Sequence, residues 1–392
     1  MTIISLGRCI GSPAPCRRRI LKQYIRTLRQ SIRIGDKVKG FSSTARIDKT
    51  FDKFKVLFCG SDEFSVASLK AVYEARDLWE SIDVVVPPEK EIGRGGKQHK
   101  SLDKYIPALK QYADHHALPT HSVPSEGIKS WTPPAPFDSI NDSHILLTAS
   151  FGHIIPSRLL KLFPENHKLN VHPSLLPKYR GAAPIQWTIA NGDIKTGVSV
   201  QKLVKYSKGV DAGEILGSIG NIPVPKDATY NSFLPQLSNV GGDLLVDVLR
   251  QLRDGTAKST PQDEGQITYA PKITHEIARI RWDEQSAEDI DRLHRGIQHQ
   301  VTLWTPVLST TAHFISLKPL NPSEYPSNLS NEVGIAYLEK YGKNRRLFVS
   351  CAQGSWLEVL EIQMAGKKVL EIKEWWNGLP KDVRDSGKIK LS

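Results

Sequence analysis

Two kinds of hydrophobic pattern alternate in the first two thirds of the chain. Residues 55–59 and 82–86 are short apolar runs, and between them apolar residues recur at helical spacing from Phe64 to Val72. Gly60 gives a turn after the first run, and Ser61 or Asp62 is a suitable N-cap for the helix. A strand, a glycine turn, a helix and a second strand predict a βαβ unit and therefore a parallel sheet.

The same alternation continues to about residue 253. The pattern predicts further strands at residues 144–148, 169–172, 197–203 and 215–219, and helices at 105–116, from about 156, and at 232–253. The glycine turn lacks the G-x-G-x-x-G pattern, which removes the main support for a dehydrogenase. The predicted fold class of this part is α/β with a parallel sheet.

The last third of the chain has a different character. Residues 255–280 contain turn formers and basic residues and are predicted to be a linker. One helix is predicted at 283–297, and the short apolar alternations beyond it are typical of a small β-barrel. The predicted organisation is an α/β domain at 53–254, the linker, and a barrel domain at 281–385.

The N-terminus carries most of the charge. The net charge is +12, and residues 1–35 hold eight basic residues and no acidic one. Leu21, Tyr24, Ile25, Leu28 and Ile32 recur at helical spacing among the arginines. An Arg-rich amphipathic segment predicts a mitochondrial import sequence over residues 1–45, with cleavage near 40–45, and hence a matrix protein. The alternative is a basic arm on a cytosolic protein.

Composition excludes several classes of protein. The chain is 39% hydrophobic and 24% charged, which is too apolar for wholesale disorder, and no apolar run approaches the roughly 18 residues of a membrane span. The four cysteines, Cys9, Cys16, Cys59 and Cys351, form no C-x-x-C pair. A zinc site or disulfide framework is therefore not expected, and reduced thiols fit an intracellular compartment.

Candidate chemistry centres on residues 169–172. In a strand, Asn170 and His172 point to one face while Leu169 and Val171 point to the other, and Pro173 ends the strand. Transfer of an acyl or formyl group to an amine needs an oxyanion donor and a proton carrier, which an Asn amide and a His can supply. A carboxylate, here Asp211, can hold the imidazole in one tautomer and raise its basicity.

No candidate nucleophile accompanies these residues. Ser174 lies nearby, but no G-x-S-x-G surrounds it. The sequence therefore favours direct transfer through a tetrahedral intermediate, without a covalent enzyme intermediate. Taken singly, a strand-end Asn or His and a loop Asp are more often structural polar groups, so spacing alone leaves this interpretation open.

The segment 170–177, Asn-Val-His-Pro-Ser-Leu-Leu-Pro, resembles the signature of the folate-dependent formyltransferase family, in which an Asn, a His and a distant Asp act together. Residues 210–213 resemble that family's Asp loop. Five further features resemble more specifically the branch of this family that formylates methionyl-tRNA. They are Gly152 and residues 92–95, 178–186, 268–273 and 365–368.

The resemblance implies a Rossmann-like catalytic domain and a C-terminal barrel of OB type. It also implies 10-formyltetrahydrofolate as formyl donor, initiator methionyl-tRNA as acceptor, no metal and a monomeric enzyme. The implied donor contacts are Phe151, Gly152, Ser174, Leu175, Leu176 and Pro177. The implied tRNA contacts are Arg94, Lys97, Lys367 and Lys368.

Some positions depart from the family pattern. Residues 150–152 read Ser-Phe-Gly where Ala-Tyr-Gly is more usual, and Pro173 stands where the tRNA enzymes often have Gly. Two other interpretations stay open. The first is a related folate enzyme, either a formyltransferase for a small amine or a formyl-folate hydrolase. The second is a non-catalytic RNA-binding protein. The last does not account for Asn170, His172 and Asp211 together.

Overall fold

The structure is a computed structural model that describes residues 52–92, 103–341 and 344–392. The predicted import sequence at 1–45 lies outside the described residues, as do Arg94 and Lys97. No helix in the described part of the chain is long and apolar enough to cross a membrane.

The first domain and the linker contain eleven strands and five helices within the described residues. The strands are β1 Phe54–Gly60, β2 Trp79–Val86, β3 Lys90–Ile92, β4 Asp103–Tyr105, β5 Thr120–Ser122, β6 His144–Ala149, β7 Lys168–His172, β8 Arg180–Gly181, β9 Lys195–Lys202, β10 Ile215–Pro223 and β11 Tyr269–Ala270. The helices are α1 Glu63–Glu74, α2 Ala108–His115, α3 Ser157–Leu160, α4 Pro184–Ala190 and α5 Tyr230–Arg253.

A seven-stranded sheet forms the centre of this domain, in the order β10-β9-β7-β6-β1-β2-β5. The five strands from β7 to β5 in that order run parallel, and β9 and β10 are antiparallel additions at one edge. Because the carboxyl ends of parallel strands share one edge of a sheet, residues after β1, β6 and β7 meet there. The predicted α/β parallel sheet is confirmed.

Both faces of the sheet are buried, as β1 illustrates. Phe54, Val56 and Phe58 lie in one core cluster, whereas Leu57 and Cys59 lie in another. Helices α1 and α5 contribute to the first cluster. A strand that is apolar on both faces reads as a continuous apolar run, which is why the 55–59 pattern predicted it.

The structure corrects two predicted helix starts and one property of the linker. Residues 103–105 form β4, and α2 begins only at Ala108, because Pro107 disfavours a helical conformation in the preceding residue. The helix predicted at 283–297 begins at Ala287, where Ser286 and Asp289 form a capping box. The linker is not purely irregular, because β11 pairs in parallel with β8.

The C-terminal domain is an antiparallel sheet with three helices in its described residues. Its strands are β12 Leu303–Val307, β13 Thr310–Pro319, β14 Ile335–Tyr341, β15 Asn344–Ser350, β16 Trp356–Met364, β17 Val369–Glu371 and β18 Lys388–Lys390. Its helices are α6 Ala287–Ile297, α7 Ile372–Asn377 and α8 Lys381–Ser386.

This second sheet curls into a barrel. The strand order is β12-β13-β16-β15-β14-β18, and β17 also pairs with β16. The two outer strands approach through the last residue, because the Ser392 amide donates to Pro306 O at 3.2 Å and the Thr305 hydroxyl donates to Ser392 O at 2.5 Å. The predicted small β-barrel is therefore confirmed.

The two domains share a packed boundary. Trp187 of α4 packs against the core cluster of the C-terminal domain and donates from Nε1 to Pro271 O at 2.8 Å. Arg295 of α6 donates from Nη1 to Ala228 O at 2.6 Å. The first contact holds the linker, and the second joins the two domains directly.

The contact between α1 and α5 yields a stability prediction. A Cβ added at Gly242 would lie 2.9 Å from Ala71 Cβ and 3.0 Å from Ala67 O. We expect Gly242→Val to lower the free energy of unfolding by about 1–3 kcal/mol, because overpacking outweighs the better helix propensity of valine. Urea denaturation measures this difference.

Gln236→Ala is the matched control, because Gln236 lies exposed on the same helix. Its free energy of unfolding should stay within about 0.5 kcal/mol of wild type. Wild-type stability in Gly242→Val would contradict the packing described between α1 and α5.

Candidate active site

The candidate site begins at the carboxyl end of β7. Leu169 and Val171 point into the core of the domain, and the strand ends at His172, immediately before Pro173. Asn170 is partly exposed. The alternation predicted for this stretch is therefore confirmed, and it presents an amide and an imidazole at one sheet edge.

The Asn170 side chain is oriented by the neighbouring strand. Thr148 lies opposite Asn170 in the β6–β7 register, and its hydroxyl donates to Asn170 Oδ1 at 2.7 Å. This bond engages the amide oxygen of Asn170 and does not involve its Nδ2 group. No described residue accepts a hydrogen bond from Nδ2, so that group can donate to a substrate oxygen.

His172 is held by a backbone carbonyl. Its Nε2 lies 2.8 Å from Tyr179 O, and the residue is only 4% exposed. A carbonyl can only accept, so Nε2 carries the proton and the neutral ring keeps its lone pair on Nδ1. The sequence interpretation assigned control of the tautomer to Asp211, whereas in the structure the Tyr179 carbonyl exerts it.

Asp211 lies beside the other ring nitrogen. Its Oδ2 is 3.8 Å from His172 Nδ1, too long for a direct hydrogen bond but close enough to stabilise a proton placed there. Gly181 N donates to Oδ2 at 2.9 Å, and Gln201 Nε2 donates to Oδ1 at 2.7 Å. The carboxylate is thus fixed through both oxygens.

Gln201 lies between the strand of Asn170 and the Asp211 side chain. It lies opposite Asn170 in the β7–β9 register, is 1% exposed, and donates to Asp211 as described. The structure therefore brings Asn170, His172 and Asp211 into one site, although Asp211 is about 40 residues away along the chain.

The predicted donor contacts differ in exposure. Phe151 is 5% exposed and belongs to the core cluster on one face of the sheet. Gly152 has a φ of 74°, and nothing lies within 4 Å of where its Cβ would be. Leu175 is 39% exposed, whereas Leu176 is 4% exposed. Gly152 therefore leaves open space beside its backbone, and Leu175 leaves apolar surface exposed after the end of β7.

Ser174 and Pro177 shape the loop itself. Ser174 is fully buried, and its hydroxyl donates to Lys178 O at 2.6 Å. Pro177 O accepts from Thr268 N in the linker at 3.4 Å. Both residues therefore fix the backbone between β7 and β8, and contact of all six residues with a donor stays a prediction.

The predicted tRNA contacts lie apart from this site in the chain. Lys367 and Lys368 are exposed in the turn between β16 and β17 of the barrel domain. Their role also stays a prediction, like that of Arg94 and Lys97.

Other chemistry receives little support from the described residues. Burial raises the pKa of the Cys59 and Cys351 thiols far above the usual range, which makes both poor nucleophiles. Among the described residues, no group of three or more His, Cys, Asp or Glu side chains is arranged to hold a metal ion.

Sequence reasoning missed the residues that support the site. Gln201 occupies a buried position in β9, a strand of mixed polar and apolar residues in which no pattern singled out this glutamine. Arg180 is 5% exposed and donates through Nε and Nη2 to Gln262 Oε1 at 3.0 and 2.8 Å. Gln262 lies in the linker, where no pattern pointed to it.

Asp62 lies at the same sheet edge, directly after β1. It caps α1 by accepting a hydrogen bond from Ser65 N at 3.1 Å, as one of the two predicted caps. Burial raises the pKa of Asp62 to about 6. The proton on this carboxyl is therefore exchanged near neutral pH.

Comparison with known proteins agrees with this architecture. The Formyl transferase family matches residues 52–249, and the family described as Formyl transferase, C-terminal domain, matches residues 272–380. In fold, the chain resembles the crystal structure of the N-formyltransferase from Helicobacter canadensis in complex with folinic acid and dTDP-3-aminofucose. That match has a TM-score of 0.53 and 16% identity, and it covers 78% of this chain and 98% of the other.

Two curated relatives are more similar in sequence. The methionyl-tRNA formyltransferase of Acidobacterium capsulatum is 33% identical over 327 residues, which cover 83% of this chain and 96% of that protein. The mitochondrial methionyl-tRNA formyltransferase of Mus musculus is 31% identical over 332 residues, 83% of this chain and 78% of that protein. The chain belongs to the formyl transferase family and is a transferase, so the predicted family is confirmed.

The raised pKa of Asp62 leads to a pH-dependent prediction. An unfolded Asp has a pKa of about 3.9, so the folded chain binds more protons between about pH 4 and 6, and stability falls as the pH rises through that range. Asp62→Asn keeps a capping oxygen without the charge. We expect it to match wild type near pH 4 and to be more stable by about 1–2 kcal/mol at pH 8.

Urea unfolding at several pH values measures this effect. Glu126→Gln is the control, because Glu126 is an exposed carboxylate and should show no such pH-dependent difference. An Asp62→Asn difference from wild type that is the same at pH 4 and pH 8 would contradict the assignment.

Proposed function

We propose that the chain transfers the formyl group of 10-formyltetrahydrofolate to the amino group of initiator methionyl-tRNA. The observation that carries the proposal is the placement of Asn170, His172 and Asp211 in one site. The names of the curated relatives support the choice of acceptor.

The site supplies the oxyanion donor, the proton acceptor and the counter-charge that direct transfer needs. Asn170 Nδ2 donates to the formyl oxygen as negative charge develops there, an effect worth roughly 3–4 kcal/mol in a dry site. His172 accepts at Nδ1 the proton that the amine loses as its nitrogen bonds to the formyl carbon. The Asp211 carboxylate, 3.8 Å away, stabilises the resulting imidazolium. His172 then returns the proton to the departing nitrogen.

The described residues fit a folate-type donor beside this strand end. Gly152 leaves open space next to the apolar Phe151, and Leu175 keeps apolar surface exposed. In the proposal these residues, with Leu176 and the loop held by Ser174 and Pro177, receive the donor. Their apolar surface excludes water that would otherwise hydrolyse the formyl group.

A tRNA acceptor would account for basic residues that lie outside the catalytic site. Lys367 and Lys368 on the barrel domain, together with Arg94 and Lys97, are proposed to contact tRNA phosphates as positively charged groups. The net charge of +12 suits a nucleic-acid partner. The enzyme is proposed to act as a monomer.

A mitochondrial matrix location is part of the proposal. It is supported by the Arg-rich, acid-free sequence of residues 1–35 and by the mitochondrial name of the mouse relative. Fusing residues 1–45 to a fluorescent protein tests it. Import and processing of the fusion are expected, and a diffuse cytosolic signal would contradict this location.

Substitution of the proton-carrying pair tests the mechanism. His172→Ala and Asp211→Asn should each lower the single-turnover rate of formyl transfer to methionyl-tRNA by about 10²–10⁴-fold, because proton transfer loses its acceptor or its counter-charge. Asparagine is chosen because Asp211 has a φ of 50°, which asparagine tolerates better than alanine.

Asp138→Asn is the control, because this exposed residue should retain the wild-type rate. Circular dichroism should show that all three variants are folded. Near-normal rates in both site variants would overturn the assigned mechanism.

Acceptor competition separates the tRNA function from transfer to a small amine. Formylation of charged initiator methionyl-tRNA should exceed that of an amino-sugar nucleotide by orders of magnitude in kcat/KM. The apparent tRNA affinity should also fall linearly on a plot of log K against log salt concentration, because phosphate contacts release counterions. Comparable kcat/KM for the amino sugar would favour the alternative acceptor.

A further inference from the structure

The linker forms one side of the candidate site. After α5 the chain passes through Gln262 and Thr268 and then pairs as β11 with β8. The pairing is close, because a Cβ on Gly181, which has a φ of 126°, would lie 2.6 Å from Ala270 O. Gly181 is also the residue whose amide holds Asp211.

Gln262 binds the Asp211 loop through its amide group. Its Nε2 donates to Asp211 O and to Gly213 O, both at 2.7 Å, and lies 3.4 Å from Gln201 Oε1. Gln262 therefore contacts the backbone of Asp211, while Gln201 holds one oxygen of its side chain.

Arg180 fixes the direction in which Gln262 points. An arginine side chain can only donate, so its two bonds to Gln262 Oε1 require the amide nitrogen to face the Asp211 loop. Among the described residues, no carboxylate forms a salt bridge with this buried guanidinium. The Arg180–Gln262 contact therefore selects one of the two amide orientations.

The linker also reaches the residue that holds His172. Thr268 Oγ1 accepts from Tyr179 N at 2.9 Å, and Thr268 O accepts from Arg180 N at 2.9 Å. Tyr179 O in turn accepts from His172 Nε2. The linker thus fixes the supports of both His172 and Asp211.

We propose that Gln262 is a positioning residue for formyl transfer, acting through Asp211. Asp211 has a φ of 50°, in the left-handed region that side chains other than glycine disfavour, so its conformation depends on its hydrogen-bonded supports. Without Gln262 the Asp211 peptide can relax, and the carboxylate then moves away from His172 Nδ1. This inference rests on the proposed function, because it needs a reaction in which that pair carries a proton.

Two substitutions test Gln262 against a matched control. Gln262→Ala removes every hydrogen bond of the Gln262 side chain. Gln262→Glu keeps an acceptor for Arg180, but it places a carboxylate oxygen next to the carbonyl oxygens of Asp211 and Gly213, where repulsion replaces two hydrogen bonds. Both should lower kcat by about 10–100-fold and change KM for tRNA and donor less than about threefold, because misplacement affects the reacting geometry. Gln266→Ala, an exposed glutamine of the same linker bonded to Asp263, should match wild type.

A double-mutant cycle distinguishes positioning from general destabilisation. If Gln262 acts through Asp211, the variant carrying both Gln262→Ala and Asp211→Asn should be no slower than Asp211→Asn alone. Multiplicative losses, or wild-type kcat in both Gln262 variants, would overturn the inference. If Gln262→Ala does not fold, the same cycle with Gln262→Glu decides.

A substrate-free readout keeps this inference separate from the proposed function. The ¹⁵N NMR signals of the His172 ring should move in Gln262→Ala in the same direction as in Asp211→Asn, and should not move in Gln266→Ala. Unmoved signals in Gln262→Ala would overturn the inference even if transfer is never observed. A wild-type enzyme that formylates no methionyl-tRNA would instead overturn the proposed function.

Discussion

The backbone of Tyr179 to Gly181 holds both members of the proposed proton-transfer pair. The carbonyl of Tyr179 accepts from His172 Nε2, and the amide of Gly181 donates to Asp211 Oδ2. Two residues of this short segment therefore bind both an imidazole at the end of β7 and a carboxylate in the loop between β9 and β10.

The fold explains why that segment can be rigid. It follows a parallel strand at the sheet edge where β1, β6 and β7 all end, and it pairs as β8 with a strand of the linker. The linker itself is held between the two domains, because Trp187 Nε1 donates to Pro271 O on one side and Trp304 Nε1 donates to His275 O on the other. In the proposed enzyme, the part of the chain that joins the tRNA-binding barrel to the catalytic domain is therefore also a wall of the active site.

Much of this arrangement could be predicted from the sequence, for identifiable reasons. Apolar runs and helical spacing indicated the parallel sheet, and strand alternation with Pro173 indicated that Asn170 and His172 stand together at a strand end. Asp211 was a candidate carboxylate from the residues alone, but the family resemblance was needed to favour it, because a loop aspartate about 40 residues away has no local pattern.

The supports of the site were harder to foresee. The Tyr179 carbonyl and the Gly181 amide are backbone groups, which no side-chain type indicates. Gln201 and Gln262 act only through tertiary contacts, and a glutamine in a strand or linker is usually a surface residue. The start of α2 was wrong because helical spacing was extended across Pro107, against the known effect of proline on the preceding residue.

In the proposed mechanism His172 accepts the proton at Nδ1, because Nε2 is already bound to the Tyr179 carbonyl. The tautomer of His172 in the substrate-free enzyme tests this claim most directly, through the ¹⁵N chemical shifts of its ring above the pH at which the imidazole is protonated. We predict a protonated Nε2 and an unprotonated Nδ1. A neutral ring that carries its proton on Nδ1 would contradict it.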